Sequence, residues 1–154
     1  MVGKQEYLDD IHVLAQDFRV RGKLGITGFG LARRMNRIFR RENLPYRSKW
    51  SIGKKRLLRR LPEMLEADIP VLLSVGPGFF HKDQTLPLYR REEDGKYVKV
   101  SSMRDHYVTV TGAVEDGMLM ISSWGQAYYM NFEDYIDHIR KYDNFLFSSI
   151  LYIQ

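Results

Sequence analysis

The sequence predicts a single α+β domain, in which helices in the N-terminal half pack on an antiparallel sheet formed by the C-terminal half. Apolar residues recur at the helical spacing of three and four up to about residue 67. From about residue 69, short alternating segments separated by turn residues dominate. Helices first and antiparallel strands later is the α+β pattern. The 154 residues suit one domain over 1–154, because a chain of about this size buries enough surface for a core.

Three helices are predicted before most of the strands. The first covers residues 4–18, and the second runs from Gly28 to Arg41, where apolar residues recur every three or four positions and arginines occupy the other faces. A short strand at 46–51 separates the second helix from a third at 52–67. Pro62 lies within this last helix, so we expect the helix to kink or split there.

The second half is predicted to consist of strands and one helix. The turn residues Asp94-Gly95 and Asp116-Gly117 each separate two alternating segments, as in a hairpin. Asn131 is the expected N-cap of a helix that runs to about Lys141. The predicted strands cover residues 69–75, 86–91, 96–101, 106–111, 118–123 and 145–153.

The composition excludes several classes of protein. There is no cysteine, which excludes a disulfide scaffold and a cysteine-based zinc site. No apolar run approaches the roughly 20 residues of a membrane-spanning helix. Charged residues follow Met1 closely, so no signal peptide is expected and the cytoplasm is the default location. We expect no cofactor and no metal, because His12, His81 and His138 lack ligand spacing.

Positive charge is concentrated in one part of the chain. The segment from Arg33 to Arg60 contains twelve lysines and arginines and one acidic residue, Glu42, whereas the remainder carries a net negative charge. Such a segment can attract nucleic acid, acidic lipid or an acidic protein partner. The alternative is a solvated helix face without a partner.

Polar residues at three places stand in an order typical of one family. Thr27-Gly28 precedes a helix, His106 begins a strand, and the run Ser122-Ser123-Trp124-Gly125 ends the next strand. From Gly25 to Ile153 the chain resembles the papain-like cysteine peptidases. It is most similar to the bacterial peptidases that cleave double-glycine leader peptides.

The resemblance implies a site and a role for each of these residues. In the family a Cys-Gly pair begins the central helix, a His lies on a later strand, and an Asn or Asp at the end of the next strand orients the His. Thr27 stands in the cysteine position, His106 in the histidine position and Ser122 in the orienting position. Gly28, Trp124 and Gly125 would line the substrate cleft.

The departures from the family pattern determine the expected function. A threonine hydroxyl is far less acidic than a thiol, and Arg21 stands where the family usually has a glutamine that stabilises the oxyanion. We therefore expect a catalytically degenerate domain that binds a peptide or protein segment in the former substrate cleft. A weak hydrolase or acyltransferase that uses Thr27 with His106 is one alternative, and nucleic-acid or acidic-partner binding through residues 33–60 is another.

The same residues also have structural interpretations. Thr27 can cap the helix that follows it, since a threonine oxygen at this position accepts a backbone N–H. His106 can be a half-buried histidine, and Trp124 can fill space beside the end of a strand. Ser122 and Ser123 can be turn hydroxyls.

Overall fold

The computed structural model describes residues 27–75, 85–114, 116–142 and 149–154. Within these residues the fold is α+β, as predicted. The helices are α1 (Gly28–Arg41), α2 (Lys54–Glu66) and α3 (Phe132–Tyr142). The strands are β1 (Ser48–Ile52), β2 (Val71–Val75), β3 (Leu86–Arg91), β4 (Tyr97–Met103), β5 (His106–Ala113), β6 (Met118–Ser123), β7 (Gln126–Asn131) and β8 (Ser149–Ile153).

The eight strands form one sheet in the order β1-β8-β2-β5-β6-β7-β3-β4. Neighbouring strands from β8 to β4 run antiparallel. Beside β1 and β8, Arg47 and Gln154 exchange both backbone hydrogen bonds, at 2.7 and 2.9 Å, which is the pattern of an antiparallel pair. Strands β5 and β6 are therefore central and carry neighbours on both sides.

The chain divides into two compact units, residues 1–48 with Gln154 and residues 49–153. In the first unit, the Asn36 side chain of α1 fixes the chain that follows the helix. Its amide donates to the Ser48 carbonyl and its oxygen accepts from the Ser48 N–H, both at 2.7 Å. This reciprocal pair satisfies both backbone groups of Ser48, which is buried.

The core of the second unit lies against one face of the sheet. Helix α2 contributes Leu57 and Leu61, and helix α3 contributes Tyr135, all of them almost fully buried. The Tyr135 hydroxyl donates to the carbonyl of Ser74 on β2 at 3.3 Å, so that the polar end of this ring is satisfied inside the core. The strand residues in the same cluster include Val71, Leu73, Val75, Leu88, Val108, Val110, Leu119, Ile121 and Met130.

A bend at Arg104 and Asp105 joins β4 to β5 and makes the sheet curl. Three other strands lie between β4 and β5 in the sheet, a separation of about 19 Å if the sheet were flat. Only two residues connect Met103 to His106, and three Cα steps span at most about 11 Å. Strands that bend in this way turn the corner of a curled sheet. Asp105 takes up the bend with φ 51, a conformation that Asp tolerates better than most residues.

Two elements differ from the sequence prediction. Strand β7 (Gln126–Asn131) was not expected, because only Met130 in it is fully buried and the alternation of apolar residues is weak. It forms because Trp124 and Gly125 make a tight turn that brings it back along β6. Helix α2 is not split at Pro62, where burial of Leu61 and Met64 on either side holds the helix together. The helix predicted at 4–18 and residues 145–148 of the last predicted strand lie outside the described residues.

Candidate functional site

His106 is the first residue of β5, and the sheet holds it in a half-buried position. It lies opposite Val75 of β2 and has the same strand parity as the buried Val108 and Val110, so its side chain points toward the inner face of the sheet. Burial lowers the pKa of the His106 imidazole from its ordinary value. The ring is therefore neutral at physiological pH, with one donor and one acceptor nitrogen.

Ser123, the last residue of β6, fixes the His106 ring. Its Oγ lies 2.8 Å from His106 Nε2, and the two atoms share a hydrogen bond. Ser123 is only 6% exposed, so its hydroxyl needs this partner. Among the described residues, His106 Nδ1 makes no hydrogen bond. Nε2 is thus bound by Ser123 of β6, and Nδ1 can form a hydrogen bond with a ligand or another side chain.

The serine that contacts His106 is therefore Ser123 rather than the predicted Ser122. Ser122 is exposed and lies opposite Thr109 on β5 and Ala127 on β7, on the outer face of the sheet. A shift of one residue along a strand moves a side chain to the opposite face. The sequence did hold a signal for this outcome, because Ser123 has the same parity as the apolar Leu119 and Ile121.

Trp124 covers the ring of His106. The two ring centroids are 4.6 Å apart and the planes are inclined by 12°, so the rings are stacked. At the same time 58% of the Trp124 surface is exposed. The tryptophan therefore has one face on the histidine and much of its surface in contact with solvent. This contact joins residues that are eighteen positions apart in the sequence, and the interpretation of Trp124 as a buried plug does not fit its exposure.

The turn that carries Trp124 is strained. Trp124 and Gly125 are the two central residues of the β6–β7 hairpin, with φ 49 and φ 72. Both values lie in the left-handed region, as a two-residue hairpin turn of this type requires. Asn-Gly and Gly-Gly adopt this conformation most easily. Gly125 adopts it without cost, but a bulky residue such as Trp124 is a genuine outlier there. Such strain amounts to about 1–3 kcal/mol and is concentrated at functional positions.

Thr27 is the N-cap of α1, as one of the two sequence interpretations predicted. Its backbone is extended, with φ −75 and ψ 152, and its Oγ1 accepts a hydrogen bond from the Gly30 N–H at 3.1 Å. Gly28 is buried at the first helical position. Both belong to the unit of residues 1–48, whereas His106 belongs to the unit of residues 49–153. The expected pairing of Thr27 with His106 stays a prediction.

Two further observations concern metal ligands and membrane spans in the described part of the chain. It contains no group of three or more His, Cys, Asp or Glu side chains that could hold a metal ion. None of the described helices is long and apolar enough to cross a membrane. His138 lies on α3, and His12 and His81 lie outside the described residues.

Comparison with models of protein families, with curated proteins and with solved structures gives no match for this chain.

Replacement of Trp124 by Asn is expected to leave the free energy of unfolding unchanged or to raise it by up to about 1–2 kcal/mol. The change removes backbone strain of about 1–3 kcal/mol and sacrifices ring stacking of about 0.5–1.5 kcal/mol. Trp124→Val is the matched control, because a β-branched residue fits the left-handed conformation badly and should destabilise the protein. Urea denaturation measures both. A loss of more than about 1.5 kcal/mol in Trp124→Asn relative to the unmodified chain, which exceeds the stacking energy, would show that the ring supports the fold.

The pKa of His106, measured by an NMR titration of its ring protons, is expected to lie below the ordinary value and to rise in Trp124→Asn, which re-exposes the ring. As pH falls, the unfolded chain takes up this proton first. The contribution of His106 to stability is therefore complete above about pH 6.5 and is lost as pH falls toward the lower folded pKa. His106→Asn should flatten this part of the stability profile. A folded pKa above the ordinary value would contradict the account.

Proposed function

We propose that this chain is a papain-like domain without a cysteine nucleophile, and that it binds a peptide or protein segment at His106 and Trp124. The observation that carries the proposal is the strained and exposed Trp124 stacked on His106. Asn in place of Trp124 would make an easier turn. The backbone strain at Trp124 keeps a large aromatic ring in contact with solvent. A ligand that contacts this ring is the best explanation for such an arrangement.

The way in which His106 is held supports the papain-like part of the proposal. In a catalytic triad, one ring nitrogen of the histidine is bound by an orienting residue and the other faces the nucleophile. Ser123 occupies the orienting role here, since its Oγ shares a hydrogen bond with Nε2. Nδ1 is then the nitrogen that would face a nucleophile or, in its absence, a ligand.

The available hydroxyls favour binding over cleavage. The chain has no cysteine. The Thr27 oxygen already accepts the Gly30 N–H, and an internal threonine has no α-amine to act as its base. Ser123 is close to His106, but it is buried, so a peptide carbonyl has little access to its oxygen. Thr27 as the nucleophile of a weak hydrolase is therefore the less favoured alternative.

The geometry suits a short extended segment with an apolar or aromatic side chain. The exposed surface of Trp124 offers a rigid contact area that costs little conformational entropy on binding. The neutral His106 ring can donate to a backbone carbonyl or accept from a backbone N–H through Nδ1. An apolar contact beside a single directed hydrogen bond is how peptide-binding sites combine affinity with orientation.

An array of short peptides, followed by calorimetric titration of the tightest binder, tests the proposal. Trp124→Ala is expected to weaken binding about tenfold or more, because truncation of a central aromatic contact costs more than about 1.4 kcal/mol. His106→Ala should weaken the same binder by a smaller factor. Tyr46→Ala is the matched control, since Tyr46 is an aromatic residue of similar exposure in the other unit.

The result that would contradict the proposal is an array in which no binder responds to Trp124→Ala or His106→Ala. Equal sensitivity to Tyr46→Ala would likewise show that the exposed aromatic residues bind peptides without a defined site.

A further inference from the structure

Helix α1 carries a stripe of arginines on one side. Arg33, Arg34, Arg37, Arg40 and Arg41 are its only charged residues. At 3.6 residues per turn, these five positions fall within an arc of about 120° and extend about 12 Å along the helix axis. We call this set the arginine stripe. The apolar residues lie on the opposite side of the same helix, where Ala32 is buried and Leu31, Met35, Ile38 and Phe39 are partly buried.

Three arginines of the stripe face solvent and have no acidic partner among the described residues. Arg33, Arg37 and Arg40 are exposed, and none of them forms an ion pair with a described residue. Glu42 is the single acidic residue between Thr27 and Ser48, and it pairs with Arg41 at 2.8 Å. Arg40 donates from Nε to the carbonyl of Asn36 at 3.1 Å, and its terminal nitrogens make no hydrogen bond with a described residue.

The stripe is unfavourable for the isolated helix. Arg33 and Arg37 are four residues apart, and Arg37 and Arg40 are three apart, so like charges lie side by side along the surface. An anion that bridges these side chains would remove the repulsion. All five positions hold arginine rather than lysine, and the planar guanidinium binds phosphate oxygens through two parallel hydrogen bonds.

The chemistry of the helix favours a nucleic acid over a membrane surface as the polyanion. A helix that lies in a membrane interface needs a wide apolar face that is free to enter the lipid. The apolar face of α1 is already partly buried in the protein. Phe29, one turn before Arg33, is the single large apolar residue of this helix that is mostly exposed. A row of arginines on a helix whose apolar face is not free to enter lipid suits a line of phosphates.

We propose that the arginine stripe binds the phosphate backbone of nucleic acid without sequence specificity. This binding does not involve His106 or Trp124 and is independent of the peptide-binding proposal. Arg33, Arg37 and Arg40 supply about three phosphate contacts. For three contacts to a duplex, the slope of log K against log salt is about −2.7. Affinity then falls about 40-fold between 50 and 200 mM salt.

Fluorescence anisotropy of the full chain with a labelled DNA duplex of mixed sequence, over a series of salt concentrations, tests this proposal. The variant Arg33→Gln/Arg37→Gln/Arg40→Gln is expected to lose most of the affinity and to reduce the salt slope by about 2.7. Arg90→Gln/Lys96→Gln/Lys99→Gln is the matched control, because it removes the same charge from exposed positions on β3, β4 and their turn. It should bind almost as the unmodified chain does.

Two further measurements keep the test decisive. Arg33→Lys/Arg37→Lys/Arg40→Lys retains the charge and should keep the salt slope, and circular dichroism should show the same helix content for every variant. Equal binding by the glutamine variant and its control would overturn the proposal. So would capture of the protein through the stripe by phosphatidylserine vesicles when the duplex does not bind, since that result identifies a membrane surface as the partner.

Discussion

The hydrogen bond between His106 Nε2 and Ser123 Oγ is the contact on which the rest of the site depends. It joins the start of β5 to the end of β6, and it satisfies a hydroxyl that is almost fully buried. It also orients the imidazole, and the ring of Trp124 lies nearly flat on it. Burial at this position lowers the pKa of His106.

The backbone on both sides of this contact is in an unusual conformation. Asp105, directly before His106, and Trp124, directly after Ser123, both have positive φ values. The first allows the strand to turn the corner of the curled sheet, and the second places an aromatic ring where Asn or Gly would be easier to accommodate. Asp tolerates this conformation, so the strain lies at Trp124, and it indicates a position that the fold maintains at an energetic cost.

The sequence predicted the elements whose pattern is local. Helix α1 was predicted at Gly28–Arg41, because threonine, glycine and a regular apolar stripe mark its start and course. Strand β6 was predicted at 118–123 from its turn and its alternation. Strand β7 was missed because its place depends on the turn at Trp124, a residue that no turn preference would put there.

Most residues of the candidate site were predicted from the sequence, but the contacts between them were not. His106 and the run from Ser122 to Gly125 were identified, and the structure brings His106, Ser123 and Trp124 together. The choice between Ser122 and Ser123 depends on which strand face is buried, and the parity of Leu119 and Ile121 would have decided it. The stacking of Trp124 on His106 is a contact between distant residues that a single sequence does not encode in any local pattern.

The central claim is that the fold keeps Trp124 exposed on the His106 ring for a ligand, although another residue would make an easier turn. Trp124→Asn tests this claim most directly, because the variant relieves the turn and removes the ring. The account predicts that Trp124→Asn is at least about as stable as the unmodified chain, yet binds the tightest peptide of an array about tenfold more weakly in a calorimetric titration. Binding of that peptide by a folded Trp124→Asn variant with unchanged affinity would contradict the claim.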